Sequence, residues 1–410
     1  MTDHDADTRA LAGIRVLDLT SVVVGPSATL RLADLGAEII KIEPPGGDLL
    51  RTLGGPSPSG QMSGKYLHFN RAKRSVCLDL KDPLARDVLK TILEGCDVFV
   101  SNIRPDALDR LGLGAVACRA RQPALIHCSI TGFGPGGAYR GRPAYDSVIQ
   151  SVSGVAGLGL QRDGVPRFAP LLLADHVCGE ITAGAISAAL FRRARTGQGT
   201  TLEIPMFETM AAFVLQEHLG PQSFQPPLGG PGDSRVLDPE NRPLKTADGW
   251  ISVTSNTDAQ AHAFLRAVDR PELIDDPRFR SVSTRFRHAR EWFSLRAETL
   301  MRQTTTHWLD VLGAADVPAM VCHTLESLPT DEHLLAVGLL QSQNHPEEGP
   351  VTAIRPSLLI DGKPAETGPP AEHLGFSTRA VMTEAGVPED MIERLIASGR
   401  AVDQRSPKAA

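Results

Sequence analysis

From residue 14 onward, short apolar runs alternate with helix-like segments, punctuated by glycine and proline. This alternation constrains the fold more than any other feature of the chain. Ile14-Arg15-Val16-Leu17-Asp18-Leu19 reads as a strand. Gly25-Pro26 opens a helix to about Gly36, with Pro26 in the favourable first turn. Glu38-Ile39-Ile40-Lys41-Ile42-Glu43 is a second strand, stopped by Pro44-Pro45-Gly46-Gly47. A strand–helix–strand unit of this length requires parallel strands and a right-handed crossover. The pattern repeats as a strand at 75–80, a helix at 83–95, and strands at 97–100 and 124–130 before the turn-rich 132–141. Residues 12 to about 200 are therefore expected to form a Rossmann-like, doubly wound α/β domain.

Further along, Gly197-Gln198-Gly199 ends a long helix whose last turn carries Arg192, Arg193 and Arg195, suited to the negative end of the dipole. A strand at 200–204 and a helix at 207–219 follow. Residues 220–243 are loaded with proline and glycine and read as a linker or exposed loop. A second unit begins near Leu244, with a strand at 250–254 and helices at 259–268, 281–303 and 305–314. A strand-like run at 352–354 and helices at 377–385 and 388–397 close the chain. Residues 1–11, polar and acidic, are expected to be disordered.

Composition narrows the function. With 48 acidic and 42 basic side chains the net charge is −6, which argues against a nucleic-acid surface. No apolar run approaches the length of a membrane-spanning helix, and no secretory signal pattern is visible. The six cysteines, 77, 96, 118, 128, 178 and 322, are scattered without a C-x-x-C pair. They read as free thiols of a reducing cytoplasm and give no zinc signature.

Several positions could carry chemistry. Pro170-Leu171-Leu172-Leu173-Ala174-Asp175 is an apolar strand or turn ending on one carboxylate, followed by a helix rich in small residues. Asp175 falls where a helix cap belongs, and it is either that cap or a reactive carboxylate at the positive end of the dipole. The first strand–helix turn, Thr20 to Ser27, is not G-x-G-x-x-G, so a dinucleotide is disfavoured, although the helix start offers amides to an anion. Asn70-Arg71-Ala72-Lys73-Arg74 is a solvated loop or a phosphate site. Asn102-Ile103-Arg104-Pro105, with Arg110, sits where open α/β sheets bind ligands. Two such clusters point to a polyanionic ligand. His176 and Glu180 share a helical face, but no further metal ligand lies nearby, and no metal is expected. Gly-x-Ser-x-Gly is absent.

As an ordered set these motifs resemble the class III coenzyme A transferases, the CaiB/BaiF family. The matching residues are Gly13 to Leu19, Gly25-Pro26, Gly36 to Glu43, Asn70 with Lys73-Arg74-Ser75, and Asn102-Ile103-Arg104-Pro105. They continue with Thr131-Gly132-Phe133-Gly134, Arg142-Pro143-Ala144-Tyr145-Asp146, Ala174-Asp175, Thr196-Gly197-Gln198-Gly199, Asp248-Gly249-Trp250 and Val317-Pro318-Ala319. The resemblance implies an acyl-CoA:carboxylate CoA-transferase with Asp175 as nucleophile. It places CoA contacts at Val23, Val24, Leu78, Asp79, Leu80, Lys81, Asn102, Ile103, Arg104 and Arg110, with Tyr145 near the thioester. The acyl-CoA is a substrate, with succinyl-CoA as a candidate, and its partner is a small carboxylic or dicarboxylic acid; no permanently bound cofactor is implied. The N-terminus of the helix at Asp175 is expected to favour its ionised form.

The resemblance also implies an interlocked homodimer of three segments per chain: 12–220 as the N-terminal part of the large domain, 221–330 as linker and small α+β domain, and 331–410 returning to complete the large one. Gly229-Gly230-Pro231-Gly232 is either a mobile loop over the site or plain linker. The chain departs from the family at Val23, Pro44, Pro143 (with Arg142 beside it) and Gly375-Phe376-Ser377-Thr378, which weakens any formate or oxalate assignment. A 2-methylacyl-CoA racemase of the same family would place a histidine where Tyr145 stands; a tyrosine is a poor base at neutral pH, which leaves His127 or His176 as the substitutes that reading would need. A non-catalytic CoA-binding protein is the third reading.

Overall fold

The computed structural model describes residues 9–404. Its elements run β1 (Arg15–Leu19), α1 (Val24–Asp34), β2 (Glu38–Glu43), α2 (Gly64–Asn70), β3 (Lys73–Leu78), α3 (Pro83–Glu94), β4 (Val98–Ser101), α4 (Pro105–Arg110), α5 (Ala115–Arg121) and β5 (Ile126–Thr131). Then come α6 (Asp146–Val152), α7 (Leu158–Asp163), α8 (Leu173–Thr196), β6 (Thr200–Pro205) and α9 (Met206–His218). Next are β7 (Leu244–Lys245), β8 (Trp250–Val253), α10 (Asp258–Ala267), α11 (Val282–Arg287), α12 (Ala289–Leu300), α13 (Thr305–Ala314) and β9 (Ala319–Val321). The chain ends with α14 (Glu332–Ala336), two hairpins from β10 (Leu340–His345), β11 (Gly349–Ile354), β12 (Leu359–Ile360) and β13 (Lys363–Pro364), and α15 (Thr378–Glu384), α16 (Glu389–Ala397) and β14 (Ala401–Val402).

The main sheet has the order β14-β3-β2-β1-β4-β5-β6; β1 to β6 run parallel and β14 is antiparallel. Its central strands are buried on both faces, which is why they read as near-continuous apolar runs such as Val16-Leu17 and Ile39-Ile40. One layer packs α3, α15 and α16 on the sheet through Val88, Leu89, Ile92, Met382, Ile392 and Leu395. Helices α1 and α8 also pack together. A Cβ on Gly179 would lie 3.0 Å from both Ser27 Cβ and Val24 O, so the small residues of α8 permit this close approach.

The chain divides into two compact units. Among the described residues, one comprises 9–154, Phe168–Phe213 and 334–404; the other comprises Val155–Arg167 and Val214–His333. The second unit is α+β: the antiparallel sheet β7-β8-β9 and helices α10 to α13 enclose Phe264, Phe279, Trp292 and Trp308. Gly229 to Gly232 belong to this unit, where Gly232 N donates to His218 O at 2.7 Å.

Some expectations are corrected. Residues 1–8 lie outside the described residues, but residues 9–11 are structured: Leu11 is buried and its N–H donates to Leu35 O at 2.9 Å. The single helix expected at 281–303 is two, because His288 leaves the helical region at φ −113° and ψ 37°.

The basic run at 71–74 is neither a solvated loop nor a phosphate site. Arg71 pairs with Asp34 at 2.6 Å, and Arg74 pairs with Glu38 and Glu384 at 2.7 Å. Lys73 is buried and donates to Thr29 Oγ1 at 2.8 Å and Asp18 Oδ2 at 3.3 Å. These cations satisfy internal carboxylates.

Candidate active site

The strand order 3-2-1-4-5-6 reverses direction between β1 and β4, and a crevice opens there at the carboxyl ends of the strands. A cleft of about 790 Å³ occupies it. Its walls come from the turn after β1 (Ser21 to Val24), the segment after β4 (Asn102 to Ala107, and Arg110), the end of β5 with its following loop (Ile130 to Phe133, Arg140 to Tyr145), and Asp175, Glu203 and Met206. Of the expected site residues, the cleft brings together Val23, Val24, Asn102, Ile103, Arg104, Arg110, Tyr145 and Asp175. Leu78, Asp79, Leu80 and Lys81 are not among its lining residues. Leu78 pairs with Ala401 of β14, and Asp79 binds Arg400 at 2.6 Å. Arg140, Arg142, Phe133, Glu203 and Met206 add to the lining. The Arg142 guanidinium lies 4.8 Å from the Tyr139 ring centroid, and Arg140 faces Asp106 at 3.6 Å.

Asp175 is not the cap of its helix. It stands in the first turn of α8, whose cap position is Leu172 with no capping side chain. The capping acceptor comes from α6. Asp146 Oδ1 accepts from Ala174 N at 2.8 Å and from Asp175 N at 3.2 Å, taking up amides that open the helix. Asp146 Oδ2 accepts from Gln150 Nε2 at 2.7 Å, and Gln150 Oε1 accepts from Ala169 N at 2.9 Å, which fixes the chain entering α8. The Asp175 carboxylate receives no hydrogen bond among the described residues, although its residue is only 7 % exposed.

Burial, and then the Asp146 charge, push the Asp175 carboxyl up to about 7. The expected preference for the ionised form is opposed first by burial and then by the Asp146 charge, and it is the Asp146 carboxylate, not that of Asp175, that takes the amides opening the helix. The sequence carried a signal for this, since Asp146 follows Tyr145 in the quoted motif, but nothing local ties Asp146 to a helix start 29 residues later.

Tyr145 caps α6 through its backbone and is 67 % exposed on the cleft wall. No histidine is among the lining residues. His127 Nε2 bonds Leu113 O at 3.0 Å, and His176 lies against Phe69. Glu180 is engaged with Arg31 at 2.6 Å. Arg104 and Arg110 are exposed and have no ion-pair partner among the described residues.

A doubly wound sheet whose switch-point crevice is lined by arginines and a buried carboxylate has the architecture in which α/β proteins bind anionic ligands. The comparisons make the class definite. The CoA-transferase family III profile matches residues 11–378, and the chain belongs to that family of transferases. The succinyl-CoA:glutarate CoA-transferase of Mus musculus is 31 % identical over 407 residues, covering 98 % of this chain and 93 % of the mouse protein. The acetyl-CoA:oxalate CoA-transferase of Acetobacter aceti is 35 % identical over 313 residues, covering 75 % and 79 %. Among solved structures, a CaiB/BaiF family protein from Brucella suis superposes with a TM-score of 0.78 at 26 % identity, covering 92 % of this chain and 99 % of that one.

Proposed function

We propose that this enzyme moves CoA from a small acyl-CoA, succinyl-CoA among the candidates, to a dicarboxylic acid, with Asp175 as the covalent carrier. The observation that carries the reading is the Asp175 carboxylate, buried on the cleft floor and without an internal hydrogen-bond donor. A carboxylate of raised basicity is the stronger nucleophile, and with its carboxyl near 7 a large fraction is ionised at neutral pH.

The reaction balances in four acyl exchanges. An ionised Asp175 oxygen attacks the thioester carbon; the C–S bond breaks, leaving an aspartyl–acyl anhydride and CoA thiolate. The thiolate attacks the aspartyl carbon and releases the donor acid, forming an aspartyl-CoA thioester. The acceptor carboxylate attacks that thioester, giving a second anhydride and thiolate. The thiolate then attacks the acceptor's acyl carbon and frees Asp175. Each intermediate keeps its partner in the cleft, so the reaction is expected to proceed without net hydrolysis.

Arg104, Arg110, Arg140 and Arg142 supply cations for the CoA phosphates and for a second carboxylate on the substrate. The named activities of the mouse and Acetobacter relatives support a dicarboxylate acceptor. The family resemblance supports a homodimer, and six free thiols support a reducing compartment such as the cytoplasm. The test is succinyl-CoA with a panel of acids including glutarate. Asp175→Ala and Asp175→Asn are expected to lose at least about 10³-fold in kcat. Hydroxylamine added during turnover is expected to leave a hydroxamate on Asp175 by mass spectrometry. Full activity in Asp175→Ala would end the assignment.

A further inference from the structure

The turn after β1 forms one wall of the cleft, and its backbone is pinned group by group. Thr20 N donates to Asp18 Oδ1 at 3.0 Å, and Thr20 O accepts from Lys41 Nζ at 2.9 Å. Ser21 N donates to Asn102 Oδ1 at 3.1 Å, while Asn102 Nδ2 donates back to Ser21 O at 2.9 Å. Val22 N donates to Asp48 Oδ1 at 3.1 Å, and the same oxygen accepts from Leu50 N at 2.9 Å. Asp48 Oδ2 and Lys41 Nζ meet at 2.9 Å, both buried.

The held conformation is one its residue resists. Val22 has φ +67°, a left-handed backbone that a β-branched side chain strongly disfavours. Directly after it, Val23 takes the cap position of α1, and Val22 to Val24 face the cleft. Lys41 is delivered by the sheet itself: it is the ladder partner of Asp18, so its stem runs beneath the turn. Burying a lysine–aspartate pair costs desolvation that well-packed apolar residues often avoid, so stability alone is weak grounds for this pair.

Resting on the CoA-transferase reading of the cleft, we infer that Lys41 and Asp48 are positioning residues: together they hold Val22 in its strained turn and so fix the wall against which acyl-CoA is seated. Neither residue lines the cleft, and neither touches a reacting atom. Without the tether the Val22 backbone relaxes toward negative φ, the start of α1 shifts, and the cost appears in CoA binding.

The test separates strain from simple structural support by changing residue 22. Val22→Gly and Val22→Ala both remove the side chain, but only glycine accepts positive φ freely. CoA affinity is measured by calorimetry on the full chain. Asp48→Ala is expected to weaken CoA binding about tenfold or more in the Val22→Ala background and less than about threefold in the Val22→Gly background. Lys41→Met is expected to show the same dependence, and it stands in should Asp48→Ala fold poorly. Equal losses in both backgrounds, or no loss in either, would overturn the inference. If the wild type binds no CoA, the functional reading fails instead. The tether is then judged by amide exchange, where Asp48→Ala must deprotect residues 21–23 at least about tenfold while β1 stays protected.

Discussion

As the proposed nucleophile, Asp175 faces two requirements that conflict. A nucleophile needs a basic carboxylate free of donors, while a residue in the first helical turn sits among amides that would bind that carboxylate and lower its pKa. Asp146 resolves the conflict by taking the Ala174 and Asp175 amides onto its own oxygen. Asp146→Asn keeps an acceptor there and removes the charge. Because burial remains as the larger cause, the Asp175 carboxyl is expected to fall only part of the way from about 7. The acid limb of the kcat/KM profile, set by ionisation of Asp175, is expected to move to lower pH by about one unit. An unmoved limb between pH 5 and 9 would mean that Asp146 does not tune Asp175.

The same raised pKa has a stability consequence. Folded Asp175 holds its proton more tightly than the unfolded chain, whose carboxyl titrates near 3.8. Between those values the folded state binds more protons, so stability falls as pH rises from about 4 through 7. Asp175→Asn escapes this cost. It is expected to be more stable than wild type at pH 8 by roughly 2–4 kcal/mol in urea unfolding, with the gap closing toward pH 4.

The element scale is where the sequence was most readable. The central strands β1, β2, β4 and β5 and the helices α1, α3 and α8 follow from apolar runs bounded by glycine and proline, since a strand buried on both faces reads as a near-continuous apolar run, whereas the edge strand β6 buries only Ile204. Short helices such as α2, α4 and α5 left no such trace, and the two-residue strand β14 is defined only by its pairing with β3. The basic run at 71–74 misled because its partners, Asp18, Asp34 and Glu38, lie 36 to 55 residues away and meet it only in the folded sheet. The small residues of α8 were visible, but not their purpose, which is contact with α1. That contact places the start of α1 and the start of α8, both cleft walls, against each other. Gly179→Val is expected to force the helices apart, lowering stability by about 1–3 kcal/mol. It is also expected to weaken CoA binding, read by thermal unfolding and calorimetry. Lost stability with unchanged affinity would show that the two walls do not depend on each other.

For the whole molecule, the site depends on a chain that leaves the main sheet and returns to it. The last segment supplies α15, α16 and β14, and buries Val381, Met382, Val387, Ile392, Leu395 and Ala401 in the core of the main sheet. It also caps β3: Ala401 and Val402 pair with Leu78 and Cys77 on what would otherwise be an open edge. Each large apolar side chain buried contributes about 1.5–3 kcal/mol. Five of them together with an alanine therefore approach the 5–15 kcal/mol by which a domain is stable at all. Removing residues 377–404 is expected to leave a protein with no cooperative thermal transition and no CoA binding, although none of those residues lines the cleft. Ile392→Ala, a milder form of the same change, is expected to cost about 2–5 kcal/mol while leaving the CoA dissociation constant within about twofold. A truncated chain that melted cooperatively and bound CoA would show that β1 to β6, with the helices between them, hold the crevice unaided.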